Sequence, residues 1–496
     1  MKIYIRTKIL LFSLFITVMT SCDLAPNLDD YEPLYSLPAE GAIYNESSAE
    51  LALTGTYSVL QKNVYYSVLP SMLSGMDEGS FFIASGNADP EHMGYAKNNP
   101  VTDGTQLLDV YSTQYNLINR ANWVIEKVGA LKDTDFAIPA RRNEIIAEAK
   151  TLRALGHFNL LRTFGYFYDM NSEYGIVIRL QPAKSKEVLP RSSVKESYAA
   201  IMDDLDSAIA SAADAKPKYY VSKTFAKALK AKVLLYEGDY TQAAALAYDV
   251  IHNSGANYKL LPTYAGLFDH QSAEVFDNVS SLFNVYSDND ELIGLGFYWN
   301  GYFLNFSDTF AKQATEDTFN INGQKINYDA TRVPFILTGA PLIAGLGNGN
   351  MKFRQMSGGR ETLYILRIEE MYLIYAEADA RSKKAVSSEA LKAVNDIRVR
   401  AGATATGGDG FEVYPSTVTY AQFLELVRME KRIELATENG EDWFDLVRYD
   451  YADGFGTGFQ VSDVKATATN PNKFIMPFPY SSIQQGGGVI KQNPGY

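Results

Sequence analysis

Cysteine is almost absent from this chain: there is one among 496 residues, at position 22. No internal disulfide can form, so the fold must rest on its core and its hydrogen bonds. Histidine is scarce too. His92, His157, His252 and His270 are scattered, and none stands in H-E-x-x-H or at ligand spacing to a cysteine or carboxylate, which excludes the common sequence-readable metal centres. A G-x-S-x-G elbow is missing, and with it one familiar nucleophile geometry. Basic residues are outnumbered, 45 against 58 acidic ones, for a formal net charge of −13. A chain of that sign offers no footprint for nucleic acid. Apolar runs are short: Ile9 to Met19, broken by Ser13 and Thr17, stands alone, and at about 11 residues it falls well below the roughly 20 needed to span a bilayer.

That one run has a meaning of its own. Lys2, Arg6 and Lys8 form a positive region before it, and the small residues Thr20 and Ser21 lead into Cys22. This order predicts a signal peptide over residues 1–21, cut immediately before the cysteine. The thiol would then carry diacylglycerol, since a lone exposed cysteine in an oxidising compartment is otherwise a liability. Stable anchoring takes more than one acyl chain, which lipoprotein processing supplies. Residues 22–45, with Pro26, Pro33 and Pro38 among polar and acidic neighbours, read as the lipidated end and an extended tether.

From residue 46 to 496 helical periodicity dominates, and a single mainly α-helical domain is expected. Helices are predicted over 49–63, 105–128, 141–164, 194–212 and 223–237. In the third, Ile145, Ala149, Leu152 and Gly156 form one stripe while Ala154, Phe158 and Leu161 form another. Two buried stripes mean a helix packed on both sides. A repeat follows. "FAKALKAKVLLYEGDYTQAAALAYDVI" (225–251) and "EMYLIYAEADARSKKAVSSEALKAVNDI" (370–397) are both helix–turn–helix units, with Ala231 and Ala243 spaced like Ala378 and Ala390. Small residues there let paired helices approach closely, and "EGDYTQA" resembles the turn of a tetratricopeptide repeat. Such units bury their faces only by stacking on further pairs. The pattern changes between about 253 and 360 to Gly, Asn, Asp and aromatic residues. This is expected to be a loop-rich, ligand-facing insert with short strands, and 64–103 and 403–420 share its character.

Acidic pairs such as Asp77 with Glu78 or Asp288 with Asp290 meet the residue type of a glycosidase, but sequence does not bring two carboxyl groups to one bond. "SDNDEL" (287–292) lacks the glycine and terminal glutamate of an EF-hand loop, and "GLGNGN" (345–350) reads as a turn. Trp123 and Trp443 fall at apolar helix positions and are expected in the core. Trp299 differs. "GFYWNGYF" (296–303) sets Tyr298, Trp299 and Tyr302 between glycines, and flat rings on a loop stack on the apolar face of a pyranose while amide side chains bond its hydroxyls. A strand with alternate rings turned inward is the competing interpretation. Tyr66, Phe81, Phe82 and Asn87, from the 64–99 segment, are the companion candidates. The 34 tyrosines suit an aromatic recognition surface.

The ordered motifs resemble the SusD/RagB outer-membrane lipoproteins of Bacteroidetes. "AEAKTLRALGHFNLLRTFG" (147–165) resembles the family's RAxxYFxLxxxFG helix, and "LPRSSVKESYAAIMDDLDSAI" its R-x-S-V segment. "RIEEMYLIYAEADA" with "ALKAVNDIRVRAG" matches its Y-AEA and N-x-IR-x-RAG pair. "VRMEKRIELATENGEDWFDLVRYD" (427–450) is similar to the ERR-ELAFEG-RW-DL-R signature, with Lys431 where arginine is usual, and "FIMPFPYSSIQQGGGVIKQNPGY" to the QNPGY ending. Glu430, Arg432, Glu434, Asp445 and Arg448 are expected as buried ion pairs holding the terminal helices. The resemblance implies a SusD-like fold, with tetratricopeptide-like pairs on one side and loops on the other. It also implies an outer-membrane, cell-surface lipoprotein without cofactor or catalysis. Such a protein would capture oligosaccharides and deliver them to a SusC-like TonB-dependent transporter. The alternative is a helical-repeat interaction lipoprotein that captures peptide or another nutrient for a similar transporter.

Overall fold

Helix starts in this chain are set by side chains that satisfy the first free backbone N–H groups. Asn45, Ser193, Ser222, Asp239, Ser387 and Thr419 each accept such a bond at an N-cap. The computed structural model describes residues 41–61, 69, 72–73, 81–83, 90–214, 217–269, 276–287, 304–306, 308–339, 349–353, 361–405, 410–452, 454 and 458–496. In chain order the first elements are α1 (Glu46–Tyr57), β1 (Phe81–Ile83), α2 (Pro90–Ala96), α3 (Thr105–Ala130), α4 (Pro139–Phe164), α5 (Val194–Ser211), α6 (Lys223–Glu237) and α7 (Tyr240–Asn253). The insert contributes β2 (Ser281–Ser287), β3 (Leu304–Phe306), α8 (Asp308–Thr315), β4 (Thr318–Ile321), β5 (Gln324–Asn327) and α9 (Arg332–Ile336). The chain closes with β6 (Glu361–Arg367), α10 (Ile368–Lys383), α11 (Ser388–Arg400), α12 (Tyr420–Glu434), α13 (Glu441–Ala452) and α14 (Tyr480–Gln485).

The helices stack in sequence, α3 on α4, α4 on α5, α5 on α6 and α6 on α7. Then α10 takes the place beside α7 and α11 follows it. This is the stack that the paired periodicities require, and both stripes of α4 are buried, Ile145, Ala149 and Leu152 on one side and Ala154, Phe158 and Leu161 on the other. Ala231, Ala243, Ala378 and Ala390 are all fully buried at the helix crossings. Gly156 shows why smallness matters: a Cβ there would come 2.9 Å from Cγ1 of Ile118 on α3. Helix α6 ends at Gly238, whose φ of +90° turns the chain into α7 at no steric cost.

Residues 253–360 therefore leave the stack after α7 and return to it at α10. Their exit and return are tied by β2 and β6, which pair antiparallel from Ser281 opposite Arg367 to Ser287 opposite Glu361. The described part of the insert carries short strands, and β4 and β5 form a hairpin around Asn322 and Gly323, both at positive φ. The first helix also stops at Tyr57, short of the predicted 63, and residues 58–61 continue as turns. Trp443 is in the core as expected, with its Nε1 donating to the Phe474 carbonyl at 2.9 Å. Trp123 is not. It is only half-buried, with the ammonium groups of Lys127 and Lys184 over the ring at 5.4 and 5.8 Å, because its apolar body flanks the seam while its ring face meets the two cations.

Candidate functional site

Two segments far apart in sequence supply the candidate rings, and the backbone joins them. Strand β1 pairs antiparallel with β3, Phe81 opposite Phe306, Phe82 opposite Asn305 and Ile83 opposite Leu304. β3 follows "GFYWNGYF" immediately, and β1 lies within the 64–99 segment. Of the candidates, only the backbone of Phe81 and Phe82 is described. Tyr66, Asn87, Tyr298, Trp299, Tyr302 and Cys22 lie outside the described residues, as do His270, Asp77, Glu78, Asp288, Asp290 and residues 345–348 of the glycine-rich turn.

Both strands run into anchored helices. After β1 comes α2, where the Glu91 carboxylate accepts from the Tyr95 hydroxyl at 2.6 Å and from the Leu107 N–H at 2.9 Å at the start of α3. A carboxylate there also complements the positive end of the helix. Lys465 donates to the Tyr95 carbonyl at 2.7 Å and ties α2 to the C-terminal region. After β3 comes α8, where buried Phe310 lies 4.6 Å beneath the Arg432 guanidinium.

A buried charge network fixes the rest of the insert to α12. Arg332, fully buried, donates to Asp329 at 3.0 Å, Glu430 at 2.6 Å and Glu434 at 3.0 Å. Lys352 reaches Glu438 at 2.6 Å, and Arg367 reaches Glu434 at 2.6 Å and Glu438 at 2.9 Å. Burial opposes ionisation of Glu434, yet Arg400, Arg367 and Arg332 outweigh it and hold its carboxyl far below the usual range. A second knot is also buried, where Lys232 bridges Glu370 at 2.8 Å and Glu441 at 2.6 Å and Arg162 meets Glu441 at 2.7 Å. Arg448 pairs with Glu377 and with Asp445 at 2.7 Å, and Lys431 takes the other Asp445 oxygen at 2.7 Å. The expected ion pairs of Glu430, Glu434, Asp445 and Arg448 are thus present. Arg432 donates to Gln313 at 3.4 Å and covers Phe310.

Sequence reasoning missed a ring patch where the end of β2 meets the turn before α6. Tyr286, at the end of β2, has its ring 4.7 Å from Tyr219 and 4.6 Å from Phe276, and Tyr220 lies 5.0 Å from Tyr219. All four are at least partly exposed. The turn that carries them is pinned: the Asn284 N–H donates to the Lys218 carbonyl at 3.0 Å, and the Lys218 N–H donates to Asp277 at 2.8 Å. Burial pushes the Lys218 ammonium down to about 8, with Asp277 opposing, and its Nζ sits 3.2 Å from the Tyr258 ring. The signal was the doublet in "PKYY" (217–220), a proline turn carrying two adjacent tyrosines. Rings held on a rigid turn make an apolar platform of the kind saccharides stack on. Among the described residues no group of histidine, cysteine and carboxylate side chains is placed to hold a metal.

Residues 338–496 match the model of the SusD family, and residues 43–235 match a family described as starch-binding associating with outer membrane. The two matches together span well over half of the chain, which belongs to the SusD/RagB family. A SusD-like protein of Bacteroides ovatus is 25% identical over 385 residues, covering 69% of this chain and 65% of that protein. A SusD-like protein of Formosa agariphila is 26% identical over 227 residues, covering 46% of this chain and 41% of that one. The chain thus aligns with less than two thirds of the length of either relative. Among solved structures, a SusD superfamily protein from Bacteroides thetaiotaomicron superposes with a TM-score of 0.72 at 24% identity, over 90% of this chain and 99% of that one. A laminarin-binding SusD-like protein superposes with a TM-score of 0.64 at 22% identity, over 91% of this chain and all (100%) of that one. These likenesses show the fold, a mainly helical SusD-like architecture with short strands.

Proposed function

We propose that this protein is a non-catalytic, cell-surface glycan-binding lipoprotein, held at the outer membrane through lipid on Cys22 after removal of residues 1–21. It captures oligosaccharides and passes them to a SusC-like TonB-dependent transporter. The observation that carries the reading is the β1–β3 pairing, which sets the backbone of Phe81 and Phe82 beside the strand that directly follows residues 296–303 in sequence. The family descriptions and the laminarin-binding neighbour support a carbohydrate as cargo and an association with the outer membrane. Trp299, Tyr298 and Tyr302 would stack on sugar rings with Tyr66, Phe81 and Phe82, while Asn87 bonds hydroxyls. Stacking on a shallow surface gives micromolar to millimolar affinity, or about −4 to −8 kcal/mol, and weak capture suits a protein that must release its cargo.

Native gels containing single polysaccharides, laminarin and starch among them, test this directly. Wild type is expected to be retarded by at least one polysaccharide and Trp299→Ala to run freely in the same gel. Equal retardation of both would remove Trp299 from the site, and no retardation across a broad panel would leave a transporter-binding scaffold. Labelled fatty acid should enter wild type and not Cys22→Ser.

A further inference from the structure

A large cavity among the described residues is lined by neither ring patch. It encloses about 780 Å³ between the end of α10, the exposed side of α12, the end of α13 and residues 458–464. Arg381, Arg428, Arg432, Tyr420, Tyr449 and Phe459 line it. That volume falls within the range of small-molecule sites.

Its polar groups are unevenly matched. Arg428, half-buried, makes no hydrogen bond or ion pair among the described residues; its guanidinium carbon lies over Phe459, 3.7 Å from the ring centroid. Arg381 is 9% exposed, spends Nε on Glu377 at 2.8 Å and leaves Nη2 without a partner. Tyr449 is 2% exposed, and its hydroxyl is likewise without a partner. The two carboxylates on the lining, Glu425 and Asp463, are both exposed, and Asp463 is already engaged by the Gln460 N–H at 2.8 Å. Exposed charges are screened by salt, whereas sheltered guanidinium groups are not. Burial, and then the nearby Arg432, pull the Arg428 guanidinium below its ordinary range, with Tyr449 and Glu425 opposing. An unpaired sheltered cation and two orphaned donors cost stability unless something anionic meets them.

We propose that this cavity is a second ligand site, selective for a saccharide bearing a carboxylate, with Arg428 as the anion-binding residue. A guanidinium meets a carboxylate with two parallel N–H donors. Phe459 lies against the guanidinium, Arg381 Nη2 and the Tyr449 hydroxyl donate to further oxygens, and Tyr420 offers a ring for the apolar face of the sugar. The anionic character follows from the arginines alone; the choice of a saccharide rests on the glycan-binding function proposed above.

Calorimetric titration at low ionic strength with D-glucuronate, D-glucose and acetate separates these points. Glucuronate is expected to bind wild type, glucose to give no heat, and acetate to bind at least tenfold more weakly than glucuronate. Arg428→Gln should weaken glucuronate at least tenfold, with Arg428→Lys recovering part of the loss. Tyr420→Ala provides an independent variant, expected to weaken glucuronate severalfold, should Arg428→Gln not fold. Absence of heat from glucuronate, or equal affinity in Arg428→Gln or Tyr420→Ala, overturns the site, and acetate binding as tightly as glucuronate overturns its saccharide character. Retardation of Trp299→Ala in neutral polysaccharide gels is scored separately, so the two sites fail or stand independently.

Discussion

The helices α3 and α4 meet through small apolar side chains, whereas α10, α12 and α13 meet through buried charges. Gly156 rests against Ile118 in the first seam; in the second, Glu434 alone receives Arg332, Arg367 and Arg400. An apolar seam is specified by volume, and many register shifts would leave it apolar. A charge seam is specified by partners, since one misplaced helix strands several buried ions at once. The charged seam is also where the insert returns, with Arg332 and Lys352 reaching α12 and the residues just after it. Order in the described part of the insert is thereby drawn from the scaffold.

The contrast breaks most sharply at Glu434. Glu434→Ala leaves three sheltered guanidinium groups without their shared anion and should cost about 3–5 kcal/mol, read as a fall in the chemical denaturation midpoint. A loss below 1 kcal/mol would mean that the charges do not fix this seam. Gly156→Val tests the apolar seam by overfilling it, at an expected cost of about 1–3 kcal/mol; a neutral outcome would show that α3 and α4 can part without penalty.

Acid distinguishes the two regions further. Burial, with the nearby Arg153 adding to it, holds the His157 imidazole on α4 down to about 3, so it stays neutral in the fold. The unfolded chain protonates below its ordinary pKa of about 6.5 and binds more protons than the folded one. Stability from this residue is therefore complete above pH 6.5 and falls as pH drops toward 3, by roughly 1.4 kcal/mol per unit at most. In the charged seam, Glu377 and Glu441 are both held at about 2; burial works against them and is outweighed by Arg448 with Arg381 and by Arg162 with Lys232. Their contribution is complete above about pH 4.5 and declines only below it. Between pH 6.5 and 4.5, His157→Gln should flatten the stability curve measured by denaturant titration and leave the lower limb in place. A curve unchanged by that substitution would assign the slope to other groups.

Much of the scaffold was legible because each local signal agreed with the fold. Ala231 and Ala243 marked one crossing, and the double stripe of α4 implied neighbours on both sides. Glu430, Glu434 and Arg448 were expected in buried ion pairs only through the likeness of residues 427–450 to the family signature. Their partners were not legible: Arg332 and Arg367 lie in segments without helical pattern, and only the return of the insert brings them to Glu434. Trp123 misled because an apolar helix position beside two lysines can face the edge of a seam. The ring candidates could be grouped but not paired, since a three-residue strand such as β1 carries no alternation long enough to read. Tyr219 and Tyr286, joined only by the folding of a turn onto β2, carried no common signal.

The central claim is that two distant segments, joined by β1 and β3, make one glycan surface. A double-variant cycle with Phe82→Ala and Trp299→Ala, measured by affinity electrophoresis on the retaining polysaccharide with unfolding monitored alongside, tests it most directly. Each single variant should weaken retention, and the pair should depart from additivity by about 0.5 kcal/mol or more. Strict additivity, or full retention in Phe82→Ala, would mean that the ribbon joins the segments without joining their function.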